Sequence, residues 1–206
     1  SLDLTTLLFV LIITSIIMGS FLALHQNNLK KRLAYSTISQ LGYILLGLMM
    51  LEKEALMGGL LHLVNHAVIK ITLFFCVGAI LYTTHKTDID QIQGIGKEMP
   101  ITMGCFAIAS VSLIGIPPTN GFVSKWYLAQ GGLNDGNWIF PVILLLSALL
   151  TALYLLPVIT EAFFRKGSES VVVIKEAPLK MLIPIVSITV IVVLLGLFPN
   201  ILINFI

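Results

Sequence analysis

HLVNHAVIK, residues 62–70, is the stretch whose reading decides the fold. It lies within an otherwise apolar run, residues 55–84, long enough to cross a bilayer as one helix, which takes about 20 residues. His62, His66 and Lys70 recur every fourth residue. At about 100° per residue they fall within about 80° of one another, on one face of one helix. An ionisable side chain near the bilayer centre costs roughly 2.5–3.5 kcal/mol on insertion scales. The three groups are therefore expected to face a protein interior or a hydrated cavity, and the remaining sequence is read for a polar path that would include them.

Composition supports a membrane setting. Hydrophobic residues make up 57% of the chain and charged residues 11%, where a soluble domain carries about 25% charged. The uncharged runs exceed the length of barrel strands, so the spans are helical. The net charge of +2 comes with no basic cluster interleaved with aromatics, and no nucleic-acid partner is expected. Cys76 and Cys105 both sit inside apolar runs and read as small core residues, not as a disulfide or metal site. The chain begins at Ser1 with no methionine and no basic leader, and its first apolar run has the length of a full span. This argues against a cleaved signal peptide and for a piece of a larger protein.

Working outward, the sequence predicts an all-α, polytopic transmembrane helical bundle forming a single domain, 1–206. Its six spans are 3–25, 33–51, 55–84, 100–132, 137–165 and 181–205. A short basic loop with Lys30, Lys31 and Arg32 follows the first span. Gly94 and Gly96 argue against regular structure in the polar loop after the third. The fourth span is interrupted by GIPPTNG, residues 115–121, whose two prolines lack amide donors and cannot sit in an unbroken helix. Neither half spans comfortably alone, so one helix broken near mid-membrane is expected. Such a break needs a protein cover or a cavity. A polar loop with a short apolar patch, residues 171–174, precedes the last span.

Charge asymmetry gives an orientation. One set of loops holds Lys30, Lys31, Arg32, Lys86, Lys97, Arg165, Lys166, Lys175 and Lys180, and the opposite set holds only Lys53. Positive residues favour the cytoplasmic side. The Lys30–Arg32 loop is then cytoplasmic and both termini lie outside. Counting the two halves of the broken helix as separate crossings would scatter these charges, which favours a single broken span.

The titratable groups suggest a proton relay. Imidazoles titrate near neutral pH, and low dielectric disfavours the charged form of a lysine. Two histidines at i, i+4 could also bind metal, but the zinc-protease pattern places Glu after the first His, and Leu63 stands there. Interhelical hydrogen bonding alone is the plainer alternative. Lys125, just beyond the proline break, is either a snorkelling lysine or a deep proton carrier. A half-helix N-terminus beside it would oppose a positive charge. Glu161 is either a membrane carboxylate or, preferably, an interface charge one turn before Arg165. Tyr35, Ser36, Ser39 and Gln40 either line a wet path or bond between helices. Trp126, Tyr127 and Trp138 fit outer-interface anchors.

Three motifs occur in order: KKRLAYSTISQLGY at 30–43, HLVNHAVIK followed by LFF, and GIPPTNGFVSKWYL at 115–128. Together they resemble the antiporter-like membrane subunits of respiratory complex I, of Mrp-type cation/proton antiporters and of energy-converting membrane hydrogenases. The last motif is more similar to its form in the Mrp-type antiporters and the hydrogenase relatives than to its mitochondrial form. Members of this family have about fourteen helices built as two inverted five-helix repeats, and this chain resembles the second repeat plus the last helix. The resemblance implies that His62, His66 and Lys70 lie on a central hydrophilic axis. It also implies that Lys125 is the broken-helix lysine, terminal in the proton path towards the outer side. Some relatives carry Glu there. The first repeat, with its glutamate–lysine pair, has no counterpart here.

The expectation is the C-terminal half of a proton-translocating subunit in the cell membrane. Its partners would be the lipid bilayer, other membrane subunits and the missing N-terminal half. Exchange of H⁺ for Na⁺ is left open. No haem, iron–sulfur or nucleotide motif is visible, so no cofactor and no redox chemistry are expected in this chain, though its complex could be an oxidoreductase. The competing class is a structural or assembly subunit whose polar residues only pack helices. An ion channel is disfavoured, because lysines on the path repel cations.

Overall fold

The computed structural model describes residues 3–165 and 175–206, so Lys166 and the apolar patch at 171–174 lie outside the described residues. The chain is an all-α polytopic membrane protein. Its helices are α1 (Leu4–Leu24), α2 (Leu29–Met49), α3 (Lys53–Thr84), α4 (Ile95–Glu98), α5 (Pro100–Ile114), α6 (Asn120–Asn134), α7 (Ile139–Phe164), α8 (Leu179–Leu197) and α9 (Asn200–Ile203). Among the described residues, α1, α3, α7 and α8 are long and apolar enough to cross a membrane.

α3 is the central pillar. It packs on α2, α5, α6 and α8, while α1 lies outside against α2 and α7. Its most apolar window is 56% buried, against 28–33% for the other three candidate spans. α3 is thus the most enclosed of the four, and its buried side is where an ionisable face can be tolerated. With 32 residues it is about 48 Å long, longer than the roughly 30 Å hydrocarbon core.

Two apolar clusters occupy opposite ends of the bundle. One gathers Leu29 and Leu33 of α2 with Ile69, Leu73 and Ile80 of α3 and Phe106 of α5. The other gathers Tyr43 and Leu46 of α2 with Ala55 of α3, Leu128 of α6 and Phe140 of α7. Between them, Ser36, Ser39 and Gln40 of α2 and His62, Asn65 and His66 of α3 form a buried polar layer. Small residues let the helices approach closely. A Cβ on Gly47 would stand 2.9 Å from the Gly59 Cα, and one on Gly19 would stand 2.7 Å from the Ser39 amide nitrogen.

Several local features depart from the sequence reading. Lys30, Lys31 and Arg32 are not in a loop but in the first turn of α2, because the Asn28 side chain accepts from the Lys31 amide at 3.2 Å and starts the helix early. Arg32 is buried, donating to the carbonyls of Gln26 (2.7 Å), Tyr154 (2.7 Å) and Leu24 (3.4 Å), and so ties the end of α1 to α7. The segment 85–99 contains a 3₁₀ turn at Ile89–Gln91 and the helical turn α4. Gly94 does not break structure there. Its φ of +76° redirects the chain into α4. Gly96 packs under the Phe163 ring, which a Cβ would meet at 2.6 Å.

Glu176 caps α5. Its carboxylate accepts from the Ile101 amide at 2.8 Å and the Thr102 hydroxyl at 2.6 Å. These bonds satisfy an orphan donor at the helix start and set negative charge at its positive end. Glu176→Ala is expected to lower stability by about 1 kcal/mol, read as a lower unfolding midpoint of the full-length protein in detergent.

Candidate functional site

The break between α5 and α6 follows from covalent chemistry. In an unbroken helix the carbonyls of Leu113 and Ile114 would accept from the residues four positions on. Those residues are Pro117 and Pro118, which have no N–H. Gly115, at φ +91°, ends α5, and α6 resumes at Asn120. The two freed carbonyls are the ones that Lys125 of α6 reaches back to bind. Its Nζ donates to Leu113 O at 2.7 Å and to Ile114 O at 2.9 Å. Lys125 thus faces the carbonyl end of α5, which favours a cation. This is the opposite polarity to the half-helix N-terminus that the sequence alone puts beside it. Hydrogen bonds to charged groups contribute roughly 1.5–3 kcal/mol each, so two of them are enough to offset the roughly 2.5–3.5 kcal/mol of placing a lysine in the membrane. The Tyr43 ring face, 5.2 Å from Nζ, adds a cation–π contact.

Lys70 repeats the arrangement on α3. Its Nζ donates to Leu33 O at 2.8 Å and to the Ser36 hydroxyl, both on α2. Ser36 and Thr37 also aim their hydroxyls at Leu33 O, at 2.9 and 3.1 Å. A carbonyl has two lone pairs, so these donors compete with the lysine, and the Ser36 hydroxyl is free to rotate. Among the described residues neither lysine has a carboxylate partner, and the ion pair there is Glu161 with Arg165 at 3.2 Å.

The histidines lie between. His62 bonds through Nδ1 to the Ser124 hydroxyl at 2.9 Å and through Nε2 to Gln40 Oε1 at 3.1 Å. His66 stacks on it with ring centroids 6.0 Å apart and 14° between the planes. His66 Nε2 is buried and has no partner among the described residues.

The four polar residues of α2 divide by direction. Ser36 and Gln40 face the α3 line. Ser39 instead joins Ser20 of α1 (2.8 Å) and Ser147 of α7 (3.2 Å) in a cluster of buried hydroxyls between helices, and Tyr35 is only partly buried. Glu161 pairs with Arg165 near the end of α7, and its backbone carbonyl accepts from Gly94. Trp126 and Trp138 are exposed.

Sequence reasoning did not single out Asn65, Ser112, Asn120 or Ser124. Asn65 lies inside the opening motif, one residue before His66. It exchanges side-chain bonds with Asn120, donating to the Asn120 carbonyl at 2.8 Å and accepting from its amide group at 3.2 Å. Ser112 donates to the Asn120 side-chain oxygen. The start of α6 is thereby fixed to α3 beside the histidines. The signal in the sequence was a run of amide and hydroxyl residues at positions that must be buried, where each needs a partner. Asn65→Leu keeps the branched outline but orphans the Asn120 groups, each worth roughly 1–3 kcal/mol when buried unpaired. Unfolding by denaturing detergent is expected to begin at a clearly lower fraction than in the wild type.

A family model described as NADH:quinone oxidoreductase/Mrp antiporter, transmembrane, matches residues 1–151. The NADH-quinone oxidoreductase subunit N of Desulforudis audaxviator is 42% identical over 195 residues, covering 89% of this chain and 39% of that protein. The F(420)H(2) dehydrogenase subunit L of Methanosarcina mazei is 40% identical over 153 residues, covering 68% and 23%. A chain in the structure of the Mrp complex from Dietzia sp. shares the fold at a TM-score of 0.90 and 23% identity, over 98% of this chain and 46% of that one. A chain of the membrane-bound sulfane sulfur reductase, an archaeal respiratory membrane complex, gives 0.89 at 28% identity, over 98% and 40%. The chain spans less than half the length of these relatives.

Proposed function

Because this chain belongs to the NADH:quinone oxidoreductase/Mrp antiporter transmembrane family, we propose that it supplies one proton half-path of an antiporter-like subunit in a multisubunit membrane complex. The observation that carries this is the partner count of the two buried lysines. Among the described residues each Nζ has two oxygen acceptors and no carboxylate partner. A neutral amine has two N–H groups, enough for both. An ammonium has three, and the third is left to be passed on. Each site therefore accommodates either protonation state, which a lysine locked in an ion pair does not.

In this reading Lys70 and Lys125 hold the proton, and His62 and His66 carry it between them. The basic loops face the cytoplasm and the termini lie outside, in keeping with the charge asymmetry. Lys125 is the outer station. The rest of the subunit and neighbouring membrane subunits complete the path and drive it electrostatically. The carried ion is H⁺, and repeating the assay with and without Na⁺ separates proton movement alone from exchange.

The test uses the assembled complex with its full-length subunit, in sealed vesicles with a pH-gradient probe. Lys70→Met is expected to slow transport about 100-fold, the lower end of what a positioned proton carrier contributes. Unchanged transport with normal assembly would overturn the role. The direct bonds of His62 to Gln40 and Ser124 favour a second reading, in which the polar layer only packs helices. That reading predicts loss of assembly in Lys70→Met with no change in rate per assembled complex.

A further inference from the structure

The polar layer contains one group whose hydrogen-bond count does not close in a single way. His62 is 1% exposed, and its partners Gln40 and Ser124 are fully buried. The Ser124 hydroxyl also faces the Gly121 carbonyl at 3.2 Å. Gln40 Nε2 is buried and has no partner among the described residues. A neutral imidazole has one N–H and one lone pair, whereas an imidazolium has two N–H groups.

Three states then fit the same heavy-atom positions. With Gln40 Oε1 facing the ring, the proton of neutral His62 is on Nε2, and Ser124 donates to Nδ1, releasing Gly121 O. With the Gln40 amide turned over, its NH₂ donates to Nε2, the ring proton is on Nδ1, and Ser124 accepts it while donating to Gly121 O. In the imidazolium, both N–H groups donate, to Gln40 Oε1 and to the Ser124 hydroxyl, and Ser124 again donates to Gly121 O. Passage between the states needs only rotation of an amide and a hydroxyl.

We propose that Gln40 and Ser124 are positioning residues that set which nitrogen of His62 holds the proton, and hence whether it leaves towards α2 or towards α6 and Lys125. A proton taken up on Nε2 from His66, once the Gln40 amide swings aside, is matched by release of the Nδ1 proton to the Ser124 hydroxyl oxygen, which gives up its own hydroxyl proton towards the neutral Lys125 amine. The ring is left with its proton on Nε2, where Gln40 Oε1 accepts it. For a second passage the same way, the ring returns to the Nδ1–H form with the Gln40 amide turned over. The groups facing His62 are His66 on its own helix, Tyr43 of α2 at 5.2 Å between ring centroids, and Lys125 of α6. None of them bonds a His62 nitrogen, so the choice of tautomer falls to Gln40 and Ser124.

The inference rests on the proton-path reading, and its first readout, the tautomer, does not depend on transport. ¹⁵N-histidine NMR of the assembled complex in lipid, with His62 assigned through a His62→Phe variant, reads each ring nitrogen as protonated or bare. Gln40→Met removes both amide groups and is expected to leave the proton on Nδ1, facing Ser124. Gln40→Glu keeps only the acceptor and is expected to hold a proton on Nε2. Gln40→Leu repeats the first result should the methionine variant assemble poorly. The same tautomer in the Met and Glu variants would overturn the proposal. So would opposite tautomers accompanied by wild-type transport rates, where a loss of about tenfold is expected in Gln40→Met. Failure of the proton path itself is read separately, from Lys70→Met.

Discussion

Replacing Lys125 with methionine in the full-length, assembled complex is expected to reduce proton transport into vesicles about 100-fold, by removing a positioned proton carrier. Methionine matches the lysine stem but leaves Leu113 O and Ile114 O without donors. Each orphaned buried acceptor costs roughly 1–3 kcal/mol, so some loss of stability accompanies the loss of transport. Lys125→Arg separates the two effects. A guanidinium reaches the same carbonyls and keeps the break folded, but it does not release its proton in proteins. The arginine variant is expected to retain the wild-type unfolding midpoint and still fail to transport. Wild-type rates in either variant would remove Lys125 from the path.

The largest structural effect is expected at Gly121. A Cβ there would lie 1.8 Å from the Ser112 carbonyl oxygen, a backbone atom at the end of α5 that cannot move aside without displacing the break. Overpacking a core typically costs 1–3 kcal/mol, and a clash with backbone on this scale goes beyond it. Gly121→Val is expected to prevent accumulation of the folded subunit, measured as loss of the full-length protein from purified membranes. Gly104, also on the broken helix, has nothing within 4 Å of its Cβ position. Gly104→Ala is therefore expected to assemble normally and to gain up to about 1 kcal/mol from helix propensity. Equal behaviour of the two variants would mean that α6 does not dock on Ser112.

Some of this was legible in the residues. The apolar runs announced a helical membrane protein. The four-residue spacing of His62, His66 and Lys70 announced a helix with one ionisable face. Direction was harder to read. Ser36, Ser39 and Gln40 sit within five residues of each other, yet Ser39 turns to α1 and α7 while the other two meet α3. A helix periodicity fixes which residues share a face but not which neighbour that face meets. Arg32 read as a loop charge because its carbonyl partners come from two separate places in the chain, the end of α1 and the middle of α7. Asn65 drew no notice beside two histidines, although with His62 it ties α6 to α3.

By itself the sequence determined that the helix must break at Pro117 and Pro118 and that Leu113 and Ile114 must lose their intrahelical donors. Both follow from the missing proline N–H. It also determined that an ionisable face in α3 must be covered, since exposure to lipid would cost too much. Only the tertiary structure decided what fills the vacancy. α6 folds back so that Lys125, with donors to spare, meets two carbonyls that lack them. The pairing satisfies both at once, inside the bundle.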